Sequence, residues 1–402
     1  MLLTVLVFLL ILSVLVLIHE AGHYFTAKKF GIKVEEFGFG LPPRLWGKKI
    51  GETIYSLNWL PIGGFVKLYG EDEAGGGRIE TKKKTAEKPK DIKRAYFMKP
   101  AWQRFLVVIA GIIMNALLAV VIYYVFLGVS GFKAELPLLG QHTFFLTNQS
   151  EKTQVVINDV AKGSPADKAG VTSFSQIISV NRTPVTSPEA FSKTIAESKG
   201  KELEITWKNL QTGKEQTAVM TPRVNAPEGE GALGVGFFPL STVVLSYDTP
   251  VQKALSGFSH PANLMTYNFA ILGDLISVAI EKKDTEPLRQ SVSGPVGIGF
   301  AVGSIIEIED QKERALQLLN LAGLLSISLA FFNFLPIPGL DGGRLFFIVI
   351  EIVFRRKINE KIEGYIHAVG MSLLLLMILF VTINDLRTYQ NSIIGFFQNL
   401  LP

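Results

Sequence analysis

The sequence contains no cysteine, which excludes structural disulfides and every thiolate-ligated metal site. Any bound metal must therefore be held by His, Asp or Glu. Histidine is also scarce, with five in 402 residues, so two of them within one helical turn carry information. Charged residues make up 19% of the chain against 48% hydrophobic, and the mean hydropathy is +0.32, too apolar for an ordinary soluble enzyme of this length. A membrane core with one compact soluble module fits both length and composition. The pI near 9.1 does not point to a nucleic-acid partner, because the basic excess is confined to one segment. Residues 27–104 carry 17 Lys or Arg against 9 Asp or Glu, whereas the whole chain is only +5. Basic residues beside apolar spans report the cytoplasmic side.

What is present is apolar length. Residues 1–18 are uncharged and almost wholly apolar, and they lack the basic n-region and small-residue cleavage site of a signal peptide, so they read as a retained span. Residues 105–127 form a second span, interrupted by one strongly polar residue, Asn115. Residues 315–338 form a third, which breaks at Pro336 and Pro338 and resumes as an apolar run over 345–354; residues 366–383 form the fourth. Basic loops at 28–104 and at Arg355, Arg356, Lys357 and Lys361 are placed inside, which puts both chain ends and residues 131 to about 310 outside. Residues 52–69, with Pro61, Gly63 and Gly64, read as a hairpin or looped sheet. Residues 75–93 read as a flexible loop, and residues 261–280, with Asn263, Asn268 and Asp274, as an amphipathic helix too polar to span.

The chemistry-bearing sequence is His19-Glu20-Ala21-Gly22-His23, directly after the first apolar run. Positions i and i+4 share a helix face, so both imidazoles reach one zinc while Glu20 stands beside the water to be activated. From composition, a chance match is on the order of a few in a thousand. Left as ordinary interfacial polar residues, three ionisable side chains at the end of a span would cost roughly a few kcal/mol each with no return in function. A catalytic zinc needs a third protein ligand and an open position. His142, His260 and His367 show no ligand spacing, and Lys29 stands where a third histidine of the soluble metzincin pattern would fall. Asn333-Phe334-Leu335-Pro336-Ile337-Pro338-Gly339-Leu340-Asp341-Gly342-Gly343 instead breaks a span and delivers a carboxylate. Freed backbone at membrane depth belongs where it lines a wet cavity, which makes Asp341 the third ligand; the competing reading is that Asp341 caps the helix restarting at Gly342.

These residues resemble the bacterial site-2 proteases, membrane-embedded zinc proteases of regulated intramembrane proteolysis. The resemblance is carried by His19 to His23, by Pro61-Ile62-Gly63-Gly64-Phe65-Val66-Lys67, by Gly294-Pro295-Val296-Gly297-Ile298 and by Asn333 to Gly343, in the family's order over almost the whole chain. It implies an α-helical polytopic membrane protein with four core transmembrane helices, a membrane-associated β-loop and one extracytoplasmic β-rich PDZ-like domain. Val160 to Gly170 and Ile177 to Asn181 match that domain, the first as a turn feeding a short helix and the second as a strand; a generic small β-rich domain is the alternative. The expected divisions are an N-terminal membrane half over 1–130, the PDZ-like domain over 131–245, an extracytoplasmic amphipathic connector over 246–314 and a C-terminal membrane half over 315–402.

The expected activity is zinc-dependent hydrolysis of peptide bonds in or near the spans of membrane proteins, with Glu20 as proton carrier. The resemblance implies substrates such as anti-sigma factors and remnant signal peptides, some already trimmed by another protease. It also implies contact with membrane lipid and residence in the bacterial inner or plasma membrane. By the same resemblance Asn333 holds substrate near the metal, helix packing being the alternative for its amide, and the loop at Gly63 and Gly64 pairs with an unwound substrate strand. A PDZ-bearing scaffold with a vestigial metal site gives no reason to keep Glu20. A transporter would share the broken helix, but no inverted repeat of the apolar segments is visible.

Overall fold

The computed structural model describes residues 2–71, 92–138, 142–210, 212–227, 229–283, 293–356 and 359–390. The chain divides into two compact units, one of residues 1–122, 275–302 and 321–402, the other of residues 123–274 and 303–320.

The opening apolar run carries no helix breaker, and it forms α1 (Leu2–Lys29), whose last turn places Lys28 and Lys29 against the negative end of the helix dipole. Gly31, with φ +66°, then turns the chain. Two long antiparallel strands follow, β1 (Val34–Ile50) and β2 (Thr53–Leu68), joined at Gly51, whose φ is +63°. The pair folds back on itself, so residues 36–39 bond to 64–67 on one side and to 54–57 on the other. The hairpin is therefore longer than residues 52–69, because β1 is rich in Gly and Pro and does not look like a strand in isolation. Leu41, Leu45, Trp46, Trp59 and Leu60 on it are exposed. Of the segment expected as a flexible loop, residues 75–91 lie outside the described residues.

The second span is α2 (Ala101–Val129). In chain order there follow β3 (Lys133–Pro137), β4 (Asn148–Val160), the single turn α3 (Pro165–Lys168), β5 (Ser175–Val180), β6 (Thr183–Pro184), α4 (Pro188–Glu197), β7 (Leu203–Asn209), β8 (Glu215–Met220) and β9 (Val235–Ser246). These strands form one antiparallel sheet in the order β3-β9-β4-β5-β7-β8, with β6 paired to β5. Alternating positions Val155, Ile157, Ile177, Ile205 and Trp207 turn inward with Phe191 and Ile195 of α4 to make its core. Ser164 and Ser187 cap α3 and α4, each ahead of a proline in the first turn. The short helix and the strand expected at 160–170 and 177–181 are α3 and β5.

The C-terminal part is helical: α5 (Pro250–Lys282), α6 (Pro295–Ile306), α7 (Gln311–Phe334), α8 (Asp341–Phe354) and α9 (Glu360–Thr388). Among the described residues five helices are long and apolar enough to cross a membrane, namely α1, α2, α5, α7 and α9. That is one more than the four expected. The extra one is α5, whose hydropathy of 1.3 is the lowest of the five. Its polar Asn263 is wholly buried and exchanges hydrogen bonds with both main-chain groups of Phe145, at 3.0 and 2.9 Å, so one of the three residues that make the segment look too polar faces protein, whereas Asn268 and Asp274 are exposed.

The unit holding the ends of the chain has its own core, built by Ala27, Val34, Leu68, Val107, Ala330 and Leu345. The main-chain N–H groups of Gly294 and Gly297, at the start of α6, donate to the buried carboxylate of Asp385 on α9. That contact gives the Gly294-Pro295-Val296-Gly297 sequence a structural role, since a Cβ on Gly294 would lie 2.9 Å from an Asp385 oxygen.

Candidate metal centre

Both histidines of the His-Glu-Ala-Gly-His sequence lie on one face of α1 and are buried, each 8% exposed. Gly22 between them lets α1 touch α2, because a Cβ there would come within 2.5 Å of the Ala110 main-chain oxygen. The closeness of the two helices brings Gly111 against the rings, leaving space that a side chain would fill: its Cβ would stand 2.5 Å from His23 Nε2. Asp341 arrives from the other end of the sequence. The span α7 stops at Phe334, the chain passes through Pro336, Pro338 and Gly339 (φ +98°), and α8 begins at Asp341.

Three ligand atoms meet there. His19 Nε2 lies 2.8 Å from Asp341 Oδ2, His23 Nε2 lies 3.2 Å from the same oxygen, and the two Nε2 atoms are 3.1 Å apart. Donors about 2.0–2.2 Å from a tetrahedral zinc stand roughly 3.3 Å from one another, so this triangle matches one face of such a tetrahedron. Among the described residues these are the His, Asp and Glu side chains gathered in a group that can hold a metal. Asp341 does not cap its helix: Leu340 occupies the N-cap position with no side-chain hydrogen bond, and the carboxylate turns to the histidines instead.

Two further contacts prepare the rings for metal. His23 Nδ1 lies 2.8 Å from the Val107 main-chain oxygen, which can only accept; Nδ1 therefore carries the hydrogen and the neutral ring offers a bare Nε2. His19 Nδ1 lies 3.4 Å from Nδ2 of the fully buried Asn115, whose Oδ1 has no partner among the described residues, and the two ends of the amide exchange places on a half-turn about its last bond. A neutral ring that binds metal through Nε2 carries its hydrogen on Nδ1, so with metal bound the amide would turn its oxygen to the ring and give Oδ1 a hydrogen to accept. Such partners fix ring orientation and tautomer. Neither was identified from sequence. Asn115 stood out as the polar interruption of the second span, and that was its signal; a main-chain carbonyl such as that of Val107 leaves none.

A cavity of about 480 Å3 adjoins the group, bordered by Glu20, His23, Phe65, Val66, Asp341 and Arg344. Glu20 faces this cavity beside the ligands. Gly64 of β2 packs on it, for a Cβ there would lie 3.8 Å from Glu20 Cγ, while Gly63 (φ +77°) makes the adjoining bend. Asn333 lies near the end of α7, with its main-chain oxygen close to Gly342. Among the described residues, Asn333, Gly63 and Gly64 are not part of the cavity lining, whereas Phe65, Val66, Lys67 and Leu68 are.

The model of peptidase family M50 matches residues 7–377. A Clostridium perfringens protein named as a candidate zinc metalloprotease is 31% identical over 381 residues, covering 94% of this chain and 97% of its own. A similarly named Clostridium acetobutylicum protein is 31% identical over 379 residues, covering 94% and 95%. One from Fusobacterium nucleatum is 29% identical over 383 residues, covering 95% and 98%.

Proposed function

Because this chain belongs to peptidase family M50 and is a multi-pass zinc metalloprotease, we propose that it cuts peptide bonds of membrane-protein substrates within or at the edge of the bilayer. The observation that carries this reading is the location of the donors. His19 and His23 lie on the apolar helix α1, and Asp341 follows the break that ends the apolar helix α7. His19, His23 and Asp341 would hold the zinc, which when bound would supply Lewis acidity toward water and the scissile carbonyl. Glu20 takes a proton from the attacking water and returns it to the leaving amide nitrogen. Val107 and Asn115 hold the two imidazoles in the tautomer that binds metal.

A helical substrate must unwind before its amides are open to attack. Among the described residues, no strand pairs with the side of residues 64–68 that faces away from β1, and Phe65 to Leu68 line the cavity. That edge offers main-chain donors and acceptors to an extended segment passing Glu20, and the exposed apolar residues of the hairpin suit contact with lipid. For Asn333, near the end of α7 and outside the cavity lining, a substrate contact rests on the family resemblance.

The β3–β9 sheet with α4 acts as a PDZ-like module outside the membrane, while the basic segment 27–104 lies inside. A groove of about 200 Å3 between α4 and β9, bordered by Phe191, Ile195, Leu233, Val235 and Phe237, supports a role in tethering or filtering substrates already trimmed outside. Anti-sigma factors and remnant signal peptides are the substrate classes that fit.

The test is Glu20→Gln in detergent with a membrane-spanning peptide. The variant should keep its zinc, bind the peptide and turn over at least ~10²-fold more slowly. Cleavage near the wild-type rate with zinc in place would refute the role of Glu20, and loss of zinc would make Glu20 part of the metal site.

A further inference from the structure

The third ligand opens a helix that is separated from the preceding span by a break in the chain. Between α7 and α8 the chain runs without helix through residues 335–340, with Gly339 at φ +98°; this turn is held at its base, where the Gly339 N–H donates to His367 Nδ1 and Gly342 lies against the Leu335 main chain, and the height and rotation of the rest of α8 depend also on what its own side chains touch. The tolerance is small. Sliding a helix by one residue moves it about 1.5 Å, whereas zinc ligand distances hold to about 0.2 Å.

Asp341, Arg344, Leu345, Ile348 and Glu351 fall on one face of α8. Leu345 and Ile348 are buried in the core, but apolar contact is non-directional and constrains sliding poorly. The charged residues are directional. Arg344 Nη1 donates to Glu71 Oε1 at 2.8 Å, and Glu351 Oε1 accepts from Arg104 Nη2 at 2.6 Å. Glu71 follows β2, and Arg104 lies in the first turn of α2, where its Nε also donates to the Lys99 oxygen at 3.2 Å. Glu71, Arg104 and Glu351 have side chains 13%, 10% and 18% exposed. Removing such charges from water is expensive, and a buried ion pair is weak grounds for stability but a recognised means of fixing register. Arg344 and Glu71 also border the cavity that holds Glu20 and Asp341.

We propose that Glu71–Arg344 and Arg104–Glu351 are positioning pairs that fix the height and rotation of α8 and so hold Asp341 within metal-binding distance of His19 and His23. The proposal rests on the reading of those three residues as the zinc site. The pairs act through α8; neither is assigned contact with metal or substrate.

The experiment uses the full chain in detergent, loaded with zinc or with cobalt, and measures zinc release to a chelator, the visible bands of the cobalt form and the thermal midpoint without metal. Glu71→Gln, Arg344→Gln and Glu351→Gln should each release zinc at least ~10-fold faster, the lower end of the loss seen when groups supporting metal ligands are removed. Their cobalt bands should shift. The exchanged pair Glu71→Arg with Arg344→Glu should recover much of the retention, and Arg182→Gln, which breaks an exposed pair with Glu204, should change nothing. Glu351 lies about 15 Å along the helix from Asp341, so faster release in Glu351→Gln cannot come from direct contact with the site, and this variant carries the test if an Arg344 variant fails to fold. His23→Ala is measured alongside. If it keeps zinc, the metal assignment is wrong; if it loses zinc while Glu71→Gln and Glu351→Gln release at the wild-type rate with unshifted cobalt bands, the positioning role is overturned and the metal site stands.

Discussion

A Cβ placed on Gly111 would lie 2.5 Å from His23 Nε2 and 2.9 Å from His19 Cε1, so this glycine of α2 leaves the room in which the two imidazoles converge. Replacing a helical glycine by alanine ordinarily favours the helix by roughly 0.5–1 kcal/mol. Here the methyl group collides with the metal-binding nitrogen. Gly111→Ala is therefore expected to bind substoichiometric zinc and, because two buried rings must move to admit the methyl group, to lose about 1–3 kcal/mol in the metal-free form, more than the helix gains. Metal analysis beside a thermal midpoint checks both halves, and full zinc occupancy in the variant would show that the rings have room to retreat.

Asn115 supports a second prediction through His19 Nδ1. Asn115→Leu keeps similar volume but removes the acceptor, and zinc affinity should fall by ~10-fold or more. Asn115→Asp presents a carboxylate to the same ring N–H and should hold zinc at least as well as wild type, the arrangement found when a carboxylate supports a ligating histidine. Competition with a chelator of known affinity ranks the three proteins; equal affinities across the series would remove Asn115 from the metal centre.

The donors were legible in the sequence because each announces itself locally. His19 and His23 share a helical face by spacing alone, and Asp341 follows two prolines that no span would carry without a cavity to line. What escaped depends on pairings across the chain. β1 holds Gly38, Gly40, Pro42 and Pro43, which read as breakers until residues 54–57 and 64–67 are placed on either side of it. Asn263 lowered the apparent hydropathy of α5 because its partner, the main chain of Phe145, is 118 positions away. Asp385 lies two residues past the last apolar run and has no local partner in the sequence, yet it is 2% exposed and its donors are 91 and 88 residues distant.

Asp385 gives a third prediction. Its carboxylate takes the Gly294 N–H, shared between both oxygens at 3.0 and 3.2 Å, and the Gly297 N–H at 2.7 Å. Asp385→Ala strands both donors where solvent does not reach, and should cost at least ~2 kcal/mol. Asp385→Asn keeps one acceptor oxygen and should lose less. Thermal unfolding in detergent orders the series, and an alanine variant as stable as wild type would mean that the start of α6 finds other acceptors.

The last prediction concerns pH and Glu52, at the turn between β1 and β2. Arg94 reaches its two oxygens with both Nη atoms at 2.7 Å, and Lys28 Nζ adds a third bond at 2.8 Å. The Arg94 guanidinium first, then Lys28, holds the carboxyl down at about 2 from an ordinary 4.5, against the upward push of partial burial. A carboxyl held low in the folded chain stabilises it at every pH above the ordinary value, and the contribution is lost as pH falls from about 4.5 toward 2. Side chains 30–36% exposed at this cluster leave it open to solvent screening, which limits its worth to ~1 kcal/mol. Glu52→Gln should therefore unfold slightly below wild type near pH ~7 and converge with it as acid protonates the wild-type carboxyl. High salt should narrow the neutral-pH gap as well. Midpoints of both proteins compared across that acid range decide the matter, because a gap that stays constant through it would mean that Glu52 acts by packing and not by charge.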